Sequence, residues 1–249
     1  MKKNLLLALL ITPLLSFAQL QSGISNQQLG FTENGSVRTI QSIQSNKNLN
    51  PFLFQKWSTG YIQLKDDVNH SKDKMHFNLE SGKVTLESPS GKSAEFFEVD
   101  SEMISSFGIR KPGSDKMRIF TKINKADFQN QGEASVSFYE VFSSNEGNKP
   151  YLIRKIYKKE VEIKAGNTGN GGYTGASNEQ TSGTKMKKYR TFYALNKEGK
   201  YVKTKLSKKK LLKLFPDKKN ELKKYIKDND IDASKTDGAS EVIKYYHSL

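Results

Sequence analysis

The chain has 249 residues and carries 41 Lys and Arg against 26 Asp and Glu, for a formal net charge of +15. It contains no cysteine, which excludes disulfides, thiolate metal sites, a cysteine nucleophile and a lipidated N-terminal cysteine. Hydrophobic residues make up only 35% of the chain, but the 10% aromatic content indicates a folded core that is diluted by polar segments.

The N-terminus has the layout of a secretory signal peptide. A basic start over residues 1–3 precedes an apolar run over residues 5–15, and Ser16 and Ala18 place small residues at the cleavage-recognition positions. We therefore expect a signal peptide over residues 1–18, cleaved after Ala18. The apolar run is shorter than the roughly 20 residues that a spanning helix needs, and no second run follows, so no transmembrane segment is expected in the mature chain.

The region after the signal peptide changes character at residue 51. Residues 19–50 are rich in Gln, Ser, Asn and Gly and predict a loosely ordered polar arm with one short strand near residues 37–40. Residues 51–206 alternate apolar and polar side chains in short segments, which predicts an antiparallel β-sandwich or partial barrel. The predicted strands cover residues 60–65, 75–79, 84–87, 94–99, 103–109, 117–123, 136–142, 151–163, 189–193 and 201–206.

One segment interrupts this β domain. Residues 165–187 are rich in Gly, Ser, Thr and Asn, a composition typical of flexible connections. Since alternating strands precede and follow it, we expect a mobile loop that joins two strands of the same sheet.

The apolar spacing becomes helical from residue 207 onward. Residues 207–249 predict a Lys-rich tail of three short amphipathic helices that packs on the β domain, with Ser207 and Asp217 as the N-caps of the first two. The apolar faces are Leu211, Leu214 and Phe215, then Leu222, Tyr225 and Ile226, then Val242, Ile243 and Tyr246. The predicted fold class is mainly β with a small α tail.

Three stretches of the chain carry a family resemblance. They are the Pro-Phe-Leu-x-x-x-Trp-x-x-Gly opening over residues 51–60, the Phe-Tyr-Glu-Val-Phe segment over residues 138–142, and the Lys-rich tail that ends near Tyr245 and Tyr246. Together they resemble a family of exported Bacteroidota proteins that has no assigned activity. The resemblance implies export to the Gram-negative envelope, in the periplasm, at the outer membrane or outside the cell. It implies a β-region followed by helices, and it supplies no catalytic residues.

The net charge is concentrated in one part of the chain. Residues 185–227 contain 17 basic and three acidic residues, a balance of +14. Such a field attracts polyanions, and anionic lipid, lipopolysaccharide or another envelope component is the expected partner. The candidate contacts are Lys188, Lys208, Lys209, Lys210, Lys218, Lys219, Lys223 and Lys224. The alternative is a solvated lysine face, because the chain has a general bias of 36 Lys against five Arg. Nucleic acid is disfavoured, since no nucleic-acid-binding signature is present.

The sequence offers no reactive constellation. Asp66, Asp67, His70, Asp73 and His76 have the ligand types of a zinc or manganese site, but no fixed spacing joins them, which favours a solvated acidic turn. We therefore expect neither a metal nor a cofactor. No hydrolase motif is present, so the leading interpretation is a non-catalytic binding protein or structural accessory. The alternative is an envelope hydrolase whose pair of carboxylates cannot be recognised in the sequence.

Overall fold

The fold is built on one antiparallel sheet of eleven strands. The computed structural model describes residues 24–25, 31–33, 36–38, 49–65, 69–87, 96–133, 135, 137–143, 149–162 and 183–249. Its strands are β1 (Ile24–Ser25), β2 (Phe31–Glu33), β3 (Ser36–Arg38), β4 (Ser58–Leu64), β5 (Asn69–Phe77), β6 (Val84–Glu87), β7 (Phe96–Val99), β8 (Ile104–Arg110), β9 (Met117–Ile123), β10 (Ser137–Ser143), β11 (Leu152–Glu162), β12 (Thr184–Leu195) and β13 (Tyr201–Thr204). The sheet order is β1-β7-β6-β5-β4-β8-β9-β10-β11-β12-β13, and β2 pairs with β3 in a separate hairpin. The predicted mainly β fold class is confirmed.

The sheet curls although its strand order is open. Phe77 lies on β5 and Phe138 on β10, with β4, β8 and β9 between these strands in the sheet, yet the two ring centroids are 6.3 Å apart. A flat sheet would separate them by roughly 19 Å at the usual strand spacing. Just beyond β5, the carbonyl of Leu79 accepts a hydrogen bond of 3.0 Å from the N–H of Lys158 on β11. Of the two predicted β architectures, the curled sheet corresponds to the partial barrel.

Strand alternation divides the side chains of the sheet between two faces. The concave face encloses an aromatic core in which Phe107 and Phe120 stack at 4.9 Å and Phe138 meets Phe107 edge-on. Tyr139, the next residue after Phe138, points to the other face and joins a second core. That core contains Ile123, Phe128, Tyr139, Ile153, Tyr193, Leu195 and Tyr201. The period-two pattern of the sequence is thus realised with apolar residues on both sides.

One glycine in this sheet is required by a close backbone approach. Gly60 on β4 lies opposite Ile109 on β8, and a methyl group at Gly60 would fall against the carbonyl oxygen of Gly108. An alanine at this position would force the two strands apart. The close pairing of β4 with β8 therefore depends on the absence of a side chain there.

A long hairpin forms the far part of the sheet. β11 and β12 pair without a register shift from Leu152 opposite Ala194 to Glu162 opposite Thr184. The two strands that flank the predicted loop therefore belong to the same sheet, as expected. The predicted loop boundary of residue 187 is wrong, because β12 already begins at Thr184: the alternating side chains of residues 184–187 continue the ladder. Residues 165–182, the signal peptide and most of the 19–50 arm lie outside the described residues, whereas the predicted strand near residues 37–40 appears as β3.

The tail consists of three helices, as predicted. They are α1 (Lys208–Leu214), α2 (Lys219–Asp228) and α3 (Thr236–Tyr246), and their apolar residues pack around Leu152 and Ala194 of the sheet. Ser207 caps α1 by accepting a hydrogen bond from the N–H of Lys210. The prediction that Asp217 caps α2 is wrong, because a 3-10 turn precedes the helix and Asp217 instead accepts a hydrogen bond of 3.2 Å from the hydroxyl of Tyr246. No helix among the described residues is long and apolar enough to cross a membrane.

The edge strand β13 is partly covered. The carbonyl of Tyr201 accepts a hydrogen bond of 3.1 Å from the N–H of Gln129, beside a parallel bridge between Phe128 and Tyr201. β13 is four residues long and carries the exposed side chain of Lys203. This edge brings α1, which follows it directly in the chain, alongside the sheet.

Candidate anion-binding surfaces

The helical lysines predicted as contacts lie on the solvent side of the tail. Lys208, Lys209, Lys210, Lys219, Lys223 and Lys224 are exposed and Lys218 is half-buried, while Leu211, Leu222 and Ile226 turn inward. Among the described residues, these seven lysines have one acidic partner, Glu221, whose carboxylate lies 3.7 Å from the ammonium of Lys218. The positive charge of the helices is therefore largely uncompensated at the surface.

A cavity of about 410 Å³ lies between β13 and α1. Its lining contains four lysines and no acidic residue: Lys203, Thr204, Lys205, Lys210, Lys213 and Leu214. We call this feature the lysine cavity. Three of its lysines were absent from the predicted contacts, although strand alternation of Lys203 with Lys205 and the helical spacing of Lys210 with Lys213 could have indicated them.

Lys188, the eighth predicted contact, belongs to another place in the fold. It lies on β12 on the same strand face as Ala194, against which the helices pack, but six residues earlier. At the usual rise per strand residue this is a separation of about 20 Å. Lys188 therefore does not join the helical lysines.

The surroundings of Lys188 form a second basic feature. Glu140 on β10 is 4% exposed, and its carboxylate binds the guanidinium groups of both Arg118 on β9 and Arg154 on β11. Arg118 donates from Nε and Nη2 at 2.6 and 2.7 Å, and Arg154 donates from Nε at 2.8 Å and also from Nη2. These are charge-assisted, two-pronged contacts on a carboxylate that is removed from water.

Two further cations adjoin this pair of arginines. Arg154 lies opposite Phe192 across the β11–β12 ladder. Arg190 and Lys188 lie two and four residues before Phe192 on β12, so their side chains are on the same face of that strand. Burial and the positive charges of Arg118, Arg190 and Arg154 lower the pKa of Lys188. We call Arg118, Arg154, Arg190, Lys188 and the carboxylate of Glu140 the arginine cluster. Its four cations face a single anion.

Aromatic rings support the arginines of the cluster. The guanidinium of Arg154 lies 4.7 Å from the ring centroid of Phe142 and 5.5 Å from that of Phe192. Arg118 lies 5.5 Å from the ring of Phe120. Such cation–π contacts fix the planes of the guanidinium groups, so the cluster sits in a rigid position between the aromatic core and the helix-covered core.

Lys158 borders the cluster on β11. Its ammonium donates hydrogen bonds of 2.7 Å to the carbonyl oxygens of Asn50 and Phe52. Burial, with a smaller contribution from the charge of Lys188, lowers the pKa of Lys158 to about 8. Lys158 thus ties the segment that opens the β domain to β11, and its donors are directed at backbone rather than at a ligand.

Of the residues considered for a metal site, His76 has a packing role. His76 is fully buried, and its ring centroid lies 4.2 Å from that of Phe52 and 4.0 Å from that of Trp57. Burial lowers the pKa of His76 to about 3. Asp66, Asp67 and the side chain of Asp73 lie outside the described residues, and within the described ranges no group of three metal-ligating side chains occurs.

The buried carboxylates do not form a catalytic pair. In the described part of the chain they are Glu98 on β7 and Glu140 on β10. Val99, next to Glu98, and Phe138, two residues from Glu140, both belong to the aromatic core, so the two carboxylates lie on opposite faces of the sheet. Glu98 accepts a hydrogen bond of 2.6 Å from Lys83, and Glu140 is held by its two arginines. Glycoside hydrolysis needs two carboxyl groups that face each other across a substrate, so this arrangement does not favour the hydrolase alternative.

Comparison of the chain with family models, with curated proteins and with solved structures gives no match.

Proposed function

We propose that this protein is an exported, non-catalytic binding protein or structural accessory of the Gram-negative envelope, which contacts anionic lipids or polymers through its basic C-terminal region. The observation that carries the proposal is the lysine cavity, whose lining contains Lys203, Lys205, Lys210 and Lys213 and no acidic residue. The exposed lysines of α1 and α2 extend the same charge beyond the cavity.

The chemistry of this surface suits repeated negative charges rather than one defined ligand. A lysine ammonium is a strongly hydrated point charge on a flexible stem, and it recognises an anion mainly by charge. Each lysine near an anionic membrane surface contributes about 1 kcal/mol, so affinity arises from the sum of several contacts. Binding of this kind weakens as salt rises, because the Debye length falls from about 10 Å at 0.1 M to about 3 Å at 1 M.

The proposal is tested with vesicles of phosphatidylglycerol in phosphatidylcholine and with purified lipopolysaccharide. The variant changes Lys203, Lys205, Lys210 and Lys213 together to Gln. We expect its affinity in 50 mM salt to fall at least tenfold by co-sedimentation, because up to four contacts of about 1 kcal/mol are lost. The wild-type protein should leave pure phosphatidylcholine vesicles unbound.

A matched variant separates local charge from net charge. Changing Lys56, Lys111, Lys116 and Lys125 to Gln removes four exposed lysines that lie outside the tail. This variant should bind within about twofold of the wild type. Equal losses in the two variants, or binding that does not change between 0.1 and 1 M salt, would contradict the proposal and leave the lysines as a solvated face.

Export is tested separately by the intact mass of the protein recovered from cells. The mature species should begin at Gln19, because Ser16 and Ala18 fit the cleavage site. A mature protein that still contains residues 1–18 would contradict this part of the proposal.

A further inference from the structure

The arginine cluster is assembled by strand register alone. Glu140 lies directly opposite Arg154 on one side and opposite Phe120 on the other, and Arg118 is two residues from Phe120. Across the next ladder, Arg190 lies opposite Ile156 and Lys188 opposite Lys158. All of these positions share the concave face of the sheet. At the usual strand spacing, the cluster therefore extends about 15 Å across β9 to β12.

The charges of the cluster do not balance. Arg118 and Arg154 are each only 16% exposed in their side chains and share the one carboxylate of Glu140. Arg190 and Lys188 form no ion pair with any residue that the structure describes. The net charge of the cluster is thus +3, with Arg118 and Arg154 mostly shielded from water and Arg190 and Lys188 exposed. An arrangement of this kind is costly unless an anion compensates it.

Arg118 and Arg154 each have N–H donors that do not bind Glu140. A guanidinium has five N–H donors, and Arg118 and Arg154 each use two nitrogens, Nε and Nη2, on Glu140. The Nη1 groups of both make no hydrogen bond within the described part of the chain. Glu140 therefore acts as an anchor that orients two guanidinium groups while Nη1 of each stays available.

We propose that the arginine cluster is a binding site for a phosphate monoester, contacted by Arg190, Lys188 and the remaining donors of Arg118 and Arg154. A phosphate monoester carries about 1.5 to 2 negative charges near neutral pH and three acceptor oxygens, which suits an excess of three cations better than a carboxylate with one charge does. Arginine forks match phosphate oxygens in two-pronged geometry, which the point charges of the lysine cavity cannot do. The site is separate from the lysine cavity, so either proposal can fail without the other.

Isothermal titration with phenyl phosphate tests the site in the full mature chain at 50 mM salt. We expect saturable binding of one equivalent, and an affinity at least tenfold lower in Arg190→Gln and in Lys188→Gln, because each loses a charge-assisted contact. Both residues are exposed, so the variants should fold, which circular dichroism verifies. Arg110→Gln and Lys187→Gln are the matched controls: Arg110 is exposed and pairs with Asp115, and Lys187 lies beside Lys188 on the opposite strand face. Wild-type affinity in Arg190→Gln and Lys188→Gln would overturn the proposal.

Two further measurements fix the ligand class and its source. Benzoate should bind at least tenfold more weakly than phenyl phosphate, and equal binding of the two would overturn the assignment to phosphate. Vesicles that contain phosphatidic acid distinguish the sources: release of these vesicles by phenyl phosphate supports a lipid headgroup, and failure of the vesicles to bind supports a soluble ester. The variant without the four lysines of the lysine cavity should retain its affinity for phenyl phosphate, and loss there would overturn the separation of the two sites.

Discussion

The lysine cavity and the arginine cluster both carry an excess of positive charge, but the chain builds them in opposite ways. The cations of the cavity are lysines with flexible side chains, located in and just after a short edge strand and on α1. The arginines of the cluster lie on the concave face of the sheet, where a buried carboxylate and aromatic rings hold Arg118 and Arg154 in place while Arg190 is exposed. Total charge alone therefore does not define a binding site. A single cation matters little on the helices, whereas each charge of the cluster is coupled to its neighbours.

The largest difference should appear when one carboxylate is removed from each region. Glu140→Gln leaves two mostly buried arginines without their anion, and we expect the free energy of unfolding to fall by about 3–5 kcal/mol. Glu221→Gln removes the exposed partner of Lys218 and should change stability by less than about 0.5 kcal/mol. Urea denaturation of both variants measures these changes in the free energy of unfolding. Similar losses in the two variants would show that the charges of the cluster are no more coupled than those of the helices.

A second test concerns the protonation of a buried histidine, His76, which lies on the opposite face of the sheet from the aromatic core. The folded state holds the pKa of His76 at about 3, whereas an unfolded histidine titrates near 6.5. Between these values the unfolded chain binds one more proton than the folded chain, so stability is lost as the pH falls below about 6.5, at up to about 1.4 kcal/mol per pH unit. Urea titrations at pH 7 and pH 5.5 should show a loss of about 1–2 kcal/mol from this histidine.

The variant His76→Phe sharpens this test because phenylalanine can keep the stack with Phe52 and Trp57. It should lose much less stability than the wild type between the same two pH values. His70→Gln, which removes a histidine that is not fully buried, is the control for the loss of a histidine as such. A pH dependence that is unchanged in His76→Phe would contradict the assignment to His76.

The smallest expected effect has the opposite sign. Lys188→Gln removes a cation that Arg118, Arg190 and Arg154 repel, so it should raise the free energy of unfolding by a few tenths of a kcal/mol after solvent screening. Lys187→Gln, on the opposite strand face, should leave stability unchanged. Denaturation curves collected with and without phenyl phosphate would separate relief of repulsion from loss of the ligand. A clear loss of stability in Lys188→Gln without ligand would show that the cluster is not strained by its charge.

The tail could be predicted from sequence because its determinants are local. The spacing of Leu222 and Ile226 defines a buried helix face, and Ser207 lies where its side chain can accept from the N–H of Lys210. Asp217 has the same local pattern, but in the folded chain its carboxylate accepts a hydrogen bond from the hydroxyl of Tyr246, 29 residues away. A capping prediction uses only the residues next to the start of the helix, so it does not include a competing hydrogen-bond donor that is distant in sequence.

The arginine cluster could not be predicted because it depends on register. Glu140 lies 22 residues from Arg118 and 14 residues from Arg154, and neither spacing has a meaning along a single strand. The three side chains meet only because β9, β10 and β11 are adjacent and aligned, and a slip of one residue would move one of them to the other face. Strand alternation was visible in the sequence, but strand order and alignment were not.

The edge strand β13 has a consequence for behaviour at high protein concentration. An unpaired strand edge is a template on which a second copy can add a strand, and this is a common start of aggregation. Here the exposed edge is only four residues long, the carbonyl of Tyr201 is already taken by Gln129, and Lys203 and Lys205 place charge along the remainder. The same lysines that line the cavity therefore act as gatekeepers against edge-to-edge stacking, and their removal would make the chain more prone to assemble with itself.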